Sequence, residues 1–285
     1  MCDSIGFEEI YSYNTIYSRR LRIRKENVND LENILKDKKN IESVSLSDIT
    51  LDEKIVDLIL KLKPKEVILE NVKGVTDIIQ KLSNINTVSA LKIVHSSFYI
   101  PDEIAKMTNL VRLEISDCSL DRLPDNFYKL HKLKYLKISG CKLKYLPENF
   151  AFKNLRVLDI SLNMFNGIPA EIQQLPNLEY FNFSNNFYYT NDDSLLVKNK
   201  KLRYVYLHQC GIEKFPKNLA LLPDLAILWL KCNKIDDITE EMIGKFQNLR
   251  LYLGSETYQL NEQVLEALKQ NTSIKIFSLE DKTRW

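Results

Sequence analysis

The sequence has little of what phosphate-binding and hydrolytic enzymes need. Glycine is scarce, with 7 among 285 residues. No stretch matches a P-loop, a dinucleotide-binding fingerprint, the G-x-S-x-G nucleophile motif or the H-E-x-x-H zinc motif. The three histidines, His95, His131 and His208, are widely separated in the chain. We therefore expect a protein that is not an enzyme and that needs no cofactor, no metal and no small-molecule substrate.

A secretory signal and a membrane-spanning segment are also missing. The first residues, MCDSIGFEEIYSYN, carry early acids and no apolar run, and no window approaches the roughly 18 apolar residues of a membrane helix. Charge is nearly balanced, with 40 Lys and Arg against 38 Asp and Glu, which argues against general polyanion binding. We expect a cytoplasmic protein with reduced thiols and no membrane contact. A nuclear protein and export by a non-classical route are the alternatives.

What the sequence does contain is an internal repeat. Six successive stretches follow the pattern L-x-x-L-x-L-x-x-N/C-x-L, with other apolar residues at some leucine positions, and four of them continue to an apolar residue followed by proline. The unit LKYLKISGCKLKYLP is typical of these four. Weaker units extend the pattern from SRRLRIRKENV, near Ser18, to IKIFSLED, at Ile274. The six clear units start 22 to 24 residues apart, at Leu110, Leu133, Leu155, Leu178, Leu202 and Leu225.

This pattern resembles the leucine-rich repeat family, in its intracellular form with Leu-Pro-containing repeats. The resemblance implies one domain of about 11–12 repeats over residues 18–285, with residues 1–17 as an N-terminal extension or cap. It implies an α/β fold: a right-handed solenoid, shaped as an arc or horseshoe. A parallel β-sheet would line the concave side, and short helical or 3-10 segments the convex side. No unit buries its apolar side alone, so stability would come from neighbouring units.

The segments that return from strand to strand differ along the chain. Most are short and begin with Leu-Pro. The segments from Leu51 to Lys63 and from Asn261 to Asn271 carry apolar residues at helical spacing and predict true helices. The return after Leu178, FYYTNDDSLLVKNKK, lacks Leu-Pro and predicts a protruding loop.

Position 9 of each unit needs a small side chain that bonds the turn after the strand. Cysteine at this position behaves in the family as a buried residue with a weak S–H donor. The repeat spacing and the lack of C-x-x-C argue against a disulfide or zinc site. We leave Cys2 unassigned and expect Cys232 to be more exposed. The column reads Cys118, Cys141, Asn163, Asn186, Cys210 and Asn233.

Position 5, the centre of each strand, should face solvent on the concave side. Lys92, Glu114, Lys137 and Asp159 alternate in sign along it. We interpret them as a ladder of cross-strand ion pairs, with a charged recognition strip as the alternative. The whole column reads Ser45, Ile68, Lys92, Glu114, Lys137, Asp159, Asn182, Tyr206, Trp229, Tyr252 and Ser278.

Aromatic residues follow the charged residues in this column, on three adjacent strands. Exposed aromatic clusters mark interaction sites, whereas stacking of strand neighbours explains a pair of rings better than a cluster. We therefore predict a partner-binding site here, facing water. Its residues are Tyr180, Tyr204, Tyr206, His208, Trp229, Lys231 and Tyr252.

The basic stretch RRLRIRK is the other candidate site. If its apolar residues point inward, its arginines share one exposed face. They would contact phosphate or an acidic protein surface, or simply protect the edge of the sheet from pairing. The candidate residues are Arg19, Arg20, Arg22, Arg24 and Lys25.

These features favour a non-enzymatic protein–protein interaction module, a scaffold or regulatory subunit that binds through its concave face. One alternative is a factor that binds RNA or a ribonucleoprotein, such as a ribosome or splicing particle, through the basic strand. Another is a regulatory subunit of a phosphatase or small GTPase.

Overall fold

A computed structural model describes residues 19–26, 40–188, 193–246, 248–253 and 274–277, together with residues 266 and 270. In it the chain forms one sheet of 12 strands, all parallel to their neighbours and ordered as in the sequence. This confirms the predicted solenoid. The strands are β1 (Arg20–Arg24), β2 (Ser43–Ser47), β3 (Glu66–Glu70), β4 (Ala90–Val94), β5 (Arg112–Ser116), β6 (Tyr135–Ser139), β7 (Val157–Asp159), β8 (Tyr180–Asn182), β9 (Tyr204–Tyr206), β10 (Ile227–Trp229), β11 (Leu249–Tyr252) and β12 (Ile274–Phe277).

The return segments begin as α-helices and change to 3-10 helices in the middle of the chain. The predicted first helix is confirmed, and its N-cap is Asp52, whose carboxylate accepts a hydrogen bond from the Ile55 amide at 2.8 Å. A proline precedes four of the 3-10 helices and sets their entry. The α-helices are α1 (Glu53–Leu62), α2 (Val75–Leu82) and α3 (Glu240–Gly244). The 3-10 helices are Asp102–Lys106, Asp125–Lys129, Ala170–Gln174, Asp193–Lys198 and Lys217–Leu221.

Two predictions about the return segments concern residues that lie largely outside the described ranges. The predicted helix from Asn261 to Asn271 lies outside the described residues, apart from positions 266 and 270, which are helical. Of the predicted loop after Leu178, residues 189–192 lie outside them, and the 3-10 helix Asp193–Lys198 follows.

Alternate side chains of each strand point into one apolar core. In β1, Leu21 and Ile23 are fully buried, and the residues on either side of them are exposed. The buried side chains of successive units join into a single cluster that reaches from Leu21 to Leu253. Each unit is therefore closed by its neighbours, as a solenoid requires.

Asparagine at position 9 ties each turn to the unit before it. The Asn186 amide donates to the carbonyls of Ile160 and Phe183, both at 2.9 Å, and its oxygen accepts from the Phe165 amide at 3.2 Å. The other two asparagines of the column make equivalent bonds. These side chains satisfy buried backbone groups that the short strands leave without partners.

Cysteine at the same position makes part of this pattern. Cys118, Cys141 and Cys210 are buried, and each thiol donates to the carbonyl two residues earlier, at 3.1, 3.6 and 3.4 Å. Burial raises the pKa of Cys141 and Cys210 to about 12, so these thiols are poor nucleophiles. Cys232 is exposed, as expected. None of the four described cysteines forms a disulfide, and Cys2 lies outside the described residues.

The hydrogen bonds of the position 9 asparagines predict an effect on stability. Asn186→Ala should lower the free energy of unfolding by about 2–4 kcal/mol, because it leaves several buried backbone groups without partners. Asn186→Cys should cost less, since a thiol can donate as Cys210 does. Urea unfolding of the two variants measures the difference. Equal losses would mean that the side-chain hydrogen bonds do not stabilise the turns.

Candidate partner-binding face

Aromatic residues at the last positions of β9, β10 and β11 form a continuous row on the outer face of the sheet, the face opposite the core. The strand register places Tyr206 beside Trp229 and Trp229 beside Tyr252. The Trp229 and Tyr252 rings lie 4.2 Å apart at 9°, and the Tyr206 and Trp229 rings 5.9 Å apart at 25°. We call these three residues the aromatic row. Because their faces stack on one another, a partner would meet their edges.

The register adds a fourth aromatic residue that the sequence analysis missed. Tyr252 pairs with Phe277 of β12, so the assignment of this position to Ser278 is wrong by one residue. The unit containing β11 departs from the regular spacing, which shifts the alignment of the next unit. The signal that would have corrected it is the alternation of apolar residues in the sequence, since Leu249 and Leu251 pair with Ile274 and Ile276.

A second set of aromatic residues lies beside this row, at position 3 of the neighbouring strands. Tyr135, Val157 and Tyr180 form a small buried cluster on the outer face, and Tyr204 and Tyr206 pack against it. The Tyr180 ring lies 5.0 Å from that of Tyr206 and 6.5 Å from that of Tyr204. Because these rings support one another, the row is fixed from its side as well as along its length.

The expectation that all these rings face water is wrong for two of them. Tyr180 is 4% exposed and Tyr252 is 7% exposed. The reason is packing of ring on ring, which removes most of each surface from solvent. Tyr204, Tyr206 and Trp229 are half-buried, so within this candidate site they carry most of the aromatic surface that faces solvent.

Two basic side chains border the aromatic row at position 7. The Lys231 ammonium lies 5.2 Å from the centre of the Trp229 ring and 5.9 Å from that of Tyr252, within the range of cation–π attraction. His208 Nδ1 lies 3.0 Å from the Lys231 carbonyl oxygen. A carbonyl only accepts, so the proton must sit on Nδ1, and this bond fixes the ring. Both side chains are half-buried.

The environment of the row makes its phenols harder to ionise. Burial, with smaller contributions from Tyr252 and Tyr204, raises the pKa of Tyr206 to about 12. Burial also raises the pKa of Tyr252, against the opposing effect of Arg250. Both phenols are therefore neutral hydrogen-bonding groups over the physiological pH range.

The charged part of the column is less regular than an ion-pair ladder. Lys92 and Glu114 are paired at 2.7 Å, and Arg112 joins them at 3.0 Å, which confirms one step of the predicted ladder. Burial opposes ionisation of Glu114, but Lys92, Lys137 and Arg112 together lower its pKa. Asp159 instead accepts from the Ser161 amide and hydroxyl, at 3.0 and 2.6 Å.

The two carboxylates of this column are buried rather than solvated. Glu114 and Asp159 are each 5% exposed, which corrects the expectation that they face water. Their hydrogen bonds and ion pairs are made to neighbouring residues of this chain, so they offer little surface to a partner. The absence of a Lys137–Asp159 pair at ion-pair distance among the described residues leaves that step of the predicted ladder unmade.

The basic strand has the predicted orientation. Arg20, Arg22 and Arg24 are exposed on one face of β1, and Arg19 and Lys25 on either side of it are exposed too. Arg20 pairs with Glu66 at 3.4 Å, and Arg24 with Glu26 at 3.9 Å. The strand is the first in the sheet, far along the solenoid from the aromatic row. The two candidate sites are therefore separate, and contact of the strand with phosphate stays a prediction.

Within the described ranges, no three His, Cys, Asp or Glu residues are grouped so that they could hold a metal ion. A search of the same residues finds no helix long and apolar enough to span a bilayer.

The Tyr206 environment can be tested by titration. Its folded pKa is raised above the unfolded value of about 10, so the stabilising contribution of the neutral phenol is complete below about pH 10. It is lost as the pH rises toward 12. Tyr206→Phe should therefore remove a tyrosinate absorbance step near pH 12 and make the free energy of unfolding fall less steeply between about pH 10 and 12. Tyr145→Phe, which removes an exposed phenol, should leave that step in place. A step that survives Tyr206→Phe would contradict this environment.

Comparison with known proteins finds solved structures of similar fold at low sequence identity. No protein-family model and no curated protein matches the sequence. Among solved structures, internalin inlF from Listeria monocytogenes is similar with a TM-score of 0.63 at 18% identity, over 83% of this chain and 68% of that one. Internalin inlC2 from the same organism gives 0.60 at 20%, over 71% and 91%.

Two larger proteins are similar as well. TLR13, in a complex with the single-stranded RNA ssRNA13, gives a TM-score of 0.61 at 17% identity, over 80% of this chain and 43% of that one. The Arabidopsis receptor kinase HAESA, in complex with the peptide hormone IDA and the co-receptor SERK1, gives 0.55 at 22%, over 70% and 36%. The present chain thus spans less than half of either. With the 12 parallel strands and the repeat pattern, these likenesses identify the chain as a leucine-rich-repeat solenoid.

Proposed function

We propose that this chain is a non-enzymatic binding module that holds a protein partner on the outer face of its sheet, through the aromatic row and its neighbours. The observation that carries the proposal is the stacked set Tyr206, Trp229 and Tyr252, in which Tyr206 and Trp229 are half-buried and keep part of their surface in solvent. Tyr and Trp dominate the binding energy of many protein interfaces. The site is completed by Tyr180, Tyr204, His208 and Lys231.

The arrangement of the rings favours a protein over an unpaired nucleic-acid base. Base recognition by stacking needs a free ring face. The faces of Trp229 and Tyr252 lie against each other at 4.2 Å, so their edges are left for contact. Ring edges pack well on aliphatic side chains, and the phenol and indole groups can bond to backbone carbonyls. Lys231 adds a positive charge at the border, which suits a partner with a carboxylate there.

Packing also lowers the cost of binding. The rings are held by neighbours on both sides, and His208 is fixed by its hydrogen bond to the Lys231 carbonyl. A surface ordered before the partner arrives loses little side-chain entropy on binding. The similarity to solenoids solved with a peptide hormone and with RNA is compatible with a binding role for this fold. The fold itself selects neither ligand.

A second candidate is contact with RNA phosphates through the basic strand. The observation in its favour is the shared exposed face of Arg20, Arg22 and Arg24. Because Arg20 and Arg24 already have carboxylate partners, we rank this candidate below the aromatic row.

The proposal predicts the outcome of a pull-down from native lysate at low and high salt. Trp229→Ala should weaken retention of a discrete protein by about tenfold or more, at both salt concentrations. Lys231→Glu, which leaves the rings in place, should weaken it less and in a salt-dependent way. Circular dichroism and thermal unfolding would first establish that each variant is folded.

A matched control removes the same kind of side chain elsewhere. Tyr99, Tyr128 and Tyr145 are exposed, at 65%, 42% and 61%, and none belongs to the aromatic row. Their triple replacement by Ala should leave retention unchanged. If the captured species are instead ribonucleoprotein components, lost at high salt and on replacement of Arg22 and Arg24 but not of Trp229, the proposal is wrong. The basic strand would then be the binding site.

A further inference from the structure

A second apolar surface lies at one edge of the solenoid, in the turns that follow β7 and β8. Leu162, Met164 and Phe187 are 51%, 46% and 49% exposed. We call these three residues the edge patch. Large apolar side chains exposed singly are ordinary, but a group of them in one place marks an interaction surface. The aromatic row lies on different strands, at position 5, so the edge patch is a separate feature.

The backbone places Met164 and Phe187 on successive steps of a second ladder. The amides of Lys142, Met164 and Phe187, all at position 10, each donate to a carbonyl of the preceding unit, at 3.0, 2.8 and 3.0 Å. Neighbouring steps of such a ladder are about 4.8 Å apart. Met164 and Phe187 are therefore neighbours, and Lys142 precedes them in the same line.

Leu162 has a conformation that its residue type disfavours. Its φ is +55°, in the left-handed region that Asn, Asp and Gly tolerate better than a large aliphatic residue. The equivalent turn residues in the other described units include no other large aliphatic side chain. Strain combined with exposure suggests a role in binding rather than in folding. Those residues are Asp48, Asn71, His95, Asp117, Gly140, Asn185, Gln209 and Cys232.

An opening follows the edge patch along the same line. The position 10 residue after Phe187 is Gly211, and a Cβ added to it would meet nothing within 4 Å. The row of side chains therefore has a gap of one unit beside the Phe187 ring. A gap of this kind accommodates an apolar side chain of a partner without displacing any of the described residues.

Charge is distributed unevenly around the edge patch. Lys142 and Lys144 lie on the unit before it and are exposed, and neither makes an ion pair with another described residue. Glu213 is exposed on the unit that carries Gly211. One flank of the patch thus attracts carboxylates and the other does not.

We propose that the edge patch binds a short extended segment of a protein partner. Apolar side chains of that segment would cover Leu162, Met164 and Phe187 and enter the gap at Gly211, and acidic residues would precede them, facing Lys142 and Lys144. This site does not depend on the partner proposed for the aromatic row.

Phage-displayed random twelve-residue peptides, selected on the whole protein, test the proposal. The expected result is a consensus in which acidic residues precede two large apolar residues. A synthetic peptide of that sequence should shift the methyl resonance of Met164 in the methyl-labelled protein, and Met107, which is buried, serves as an internal reference. Reversing the peptide charges, or the charges of Lys142 and Lys144, should weaken binding about three- to tenfold.

Variants separate binding from folding. Leu162→Asn should raise the unfolding midpoint, because Asn suits the left-handed turn, and should abolish the shift of Met164. Gly211→Asn should fill the gap and weaken binding with the fold intact. Leu221→Gln, at another exposed leucine, should change neither.

Three results would overturn the inference. The first is no enriched consensus, or one rich in Lys and Arg. The second is peptide binding that is lost with Trp229→Ala but survives Leu162→Asn. The third is a protein dimer, seen by sedimentation, that Leu162→Asn dissociates, since this would assign the patch to a second copy of the chain.

Discussion

The whole molecule depends on the register of its parallel strands. Each strand pairs with the next so that repeat-equivalent residues face one another, about 4.8 Å apart. Any property of one position is thereby repeated as a line across the sheet. Apolar residues become a continuous core, asparagines become a hydrogen-bonded ladder, and aromatic residues become a stack. A shift of one residue would move every one of these lines to the opposite face of its strand.

Because the register repeats each position as a line across the sheet, the outer face is divided into two parts. On β4 to β7 the position 5 column holds charged groups. Its two carboxylates already have partners, since Glu114 forms ion pairs with Lys92 and Arg112 and Asp159 accepts a hydrogen bond from Ser161. On β9 to β11 it holds stacked rings, of which Tyr206 and Trp229 are half-buried. The carboxylates of the first part are buried and already have partners, and the second part has surface left for a partner. This contrast is the physical basis for placing the proposed binding site in the C-terminal half of the described sheet.

The sequence was a good guide wherever one position decides the structure. Strand positions, the buried cysteines, the exposure of Cys232 and the face shared by the arginines of β1 all follow from spacing. It was a poor guide where side chains of different units meet. The burial of Tyr180 and Tyr252 arises from ring packing between strands. The hydrogen bonds from Ser161 to the Asp159 carboxylate depend on local turn geometry. Position 5 of the last unit was assigned to Ser278 instead of Phe277 because the unit before it has irregular spacing. The edge patch could not be predicted from the sequence, because a repeat pattern does not determine the exposure of a side chain or the φ angle of a turn residue.

The central claim is that the register stacks Tyr206, Trp229 and Tyr252 into one ordered row. The most direct test is a nuclear Overhauser measurement from the Trp229 indole in the free protein. The account predicts cross-peaks to the ring protons of both Tyr252 and Tyr206, stronger to Tyr252, whose ring centroid is 4.2 Å away against 5.9 Å for Tyr206. An indole with cross-peaks to neither ring, or to residues of another position in the repeat, would contradict it.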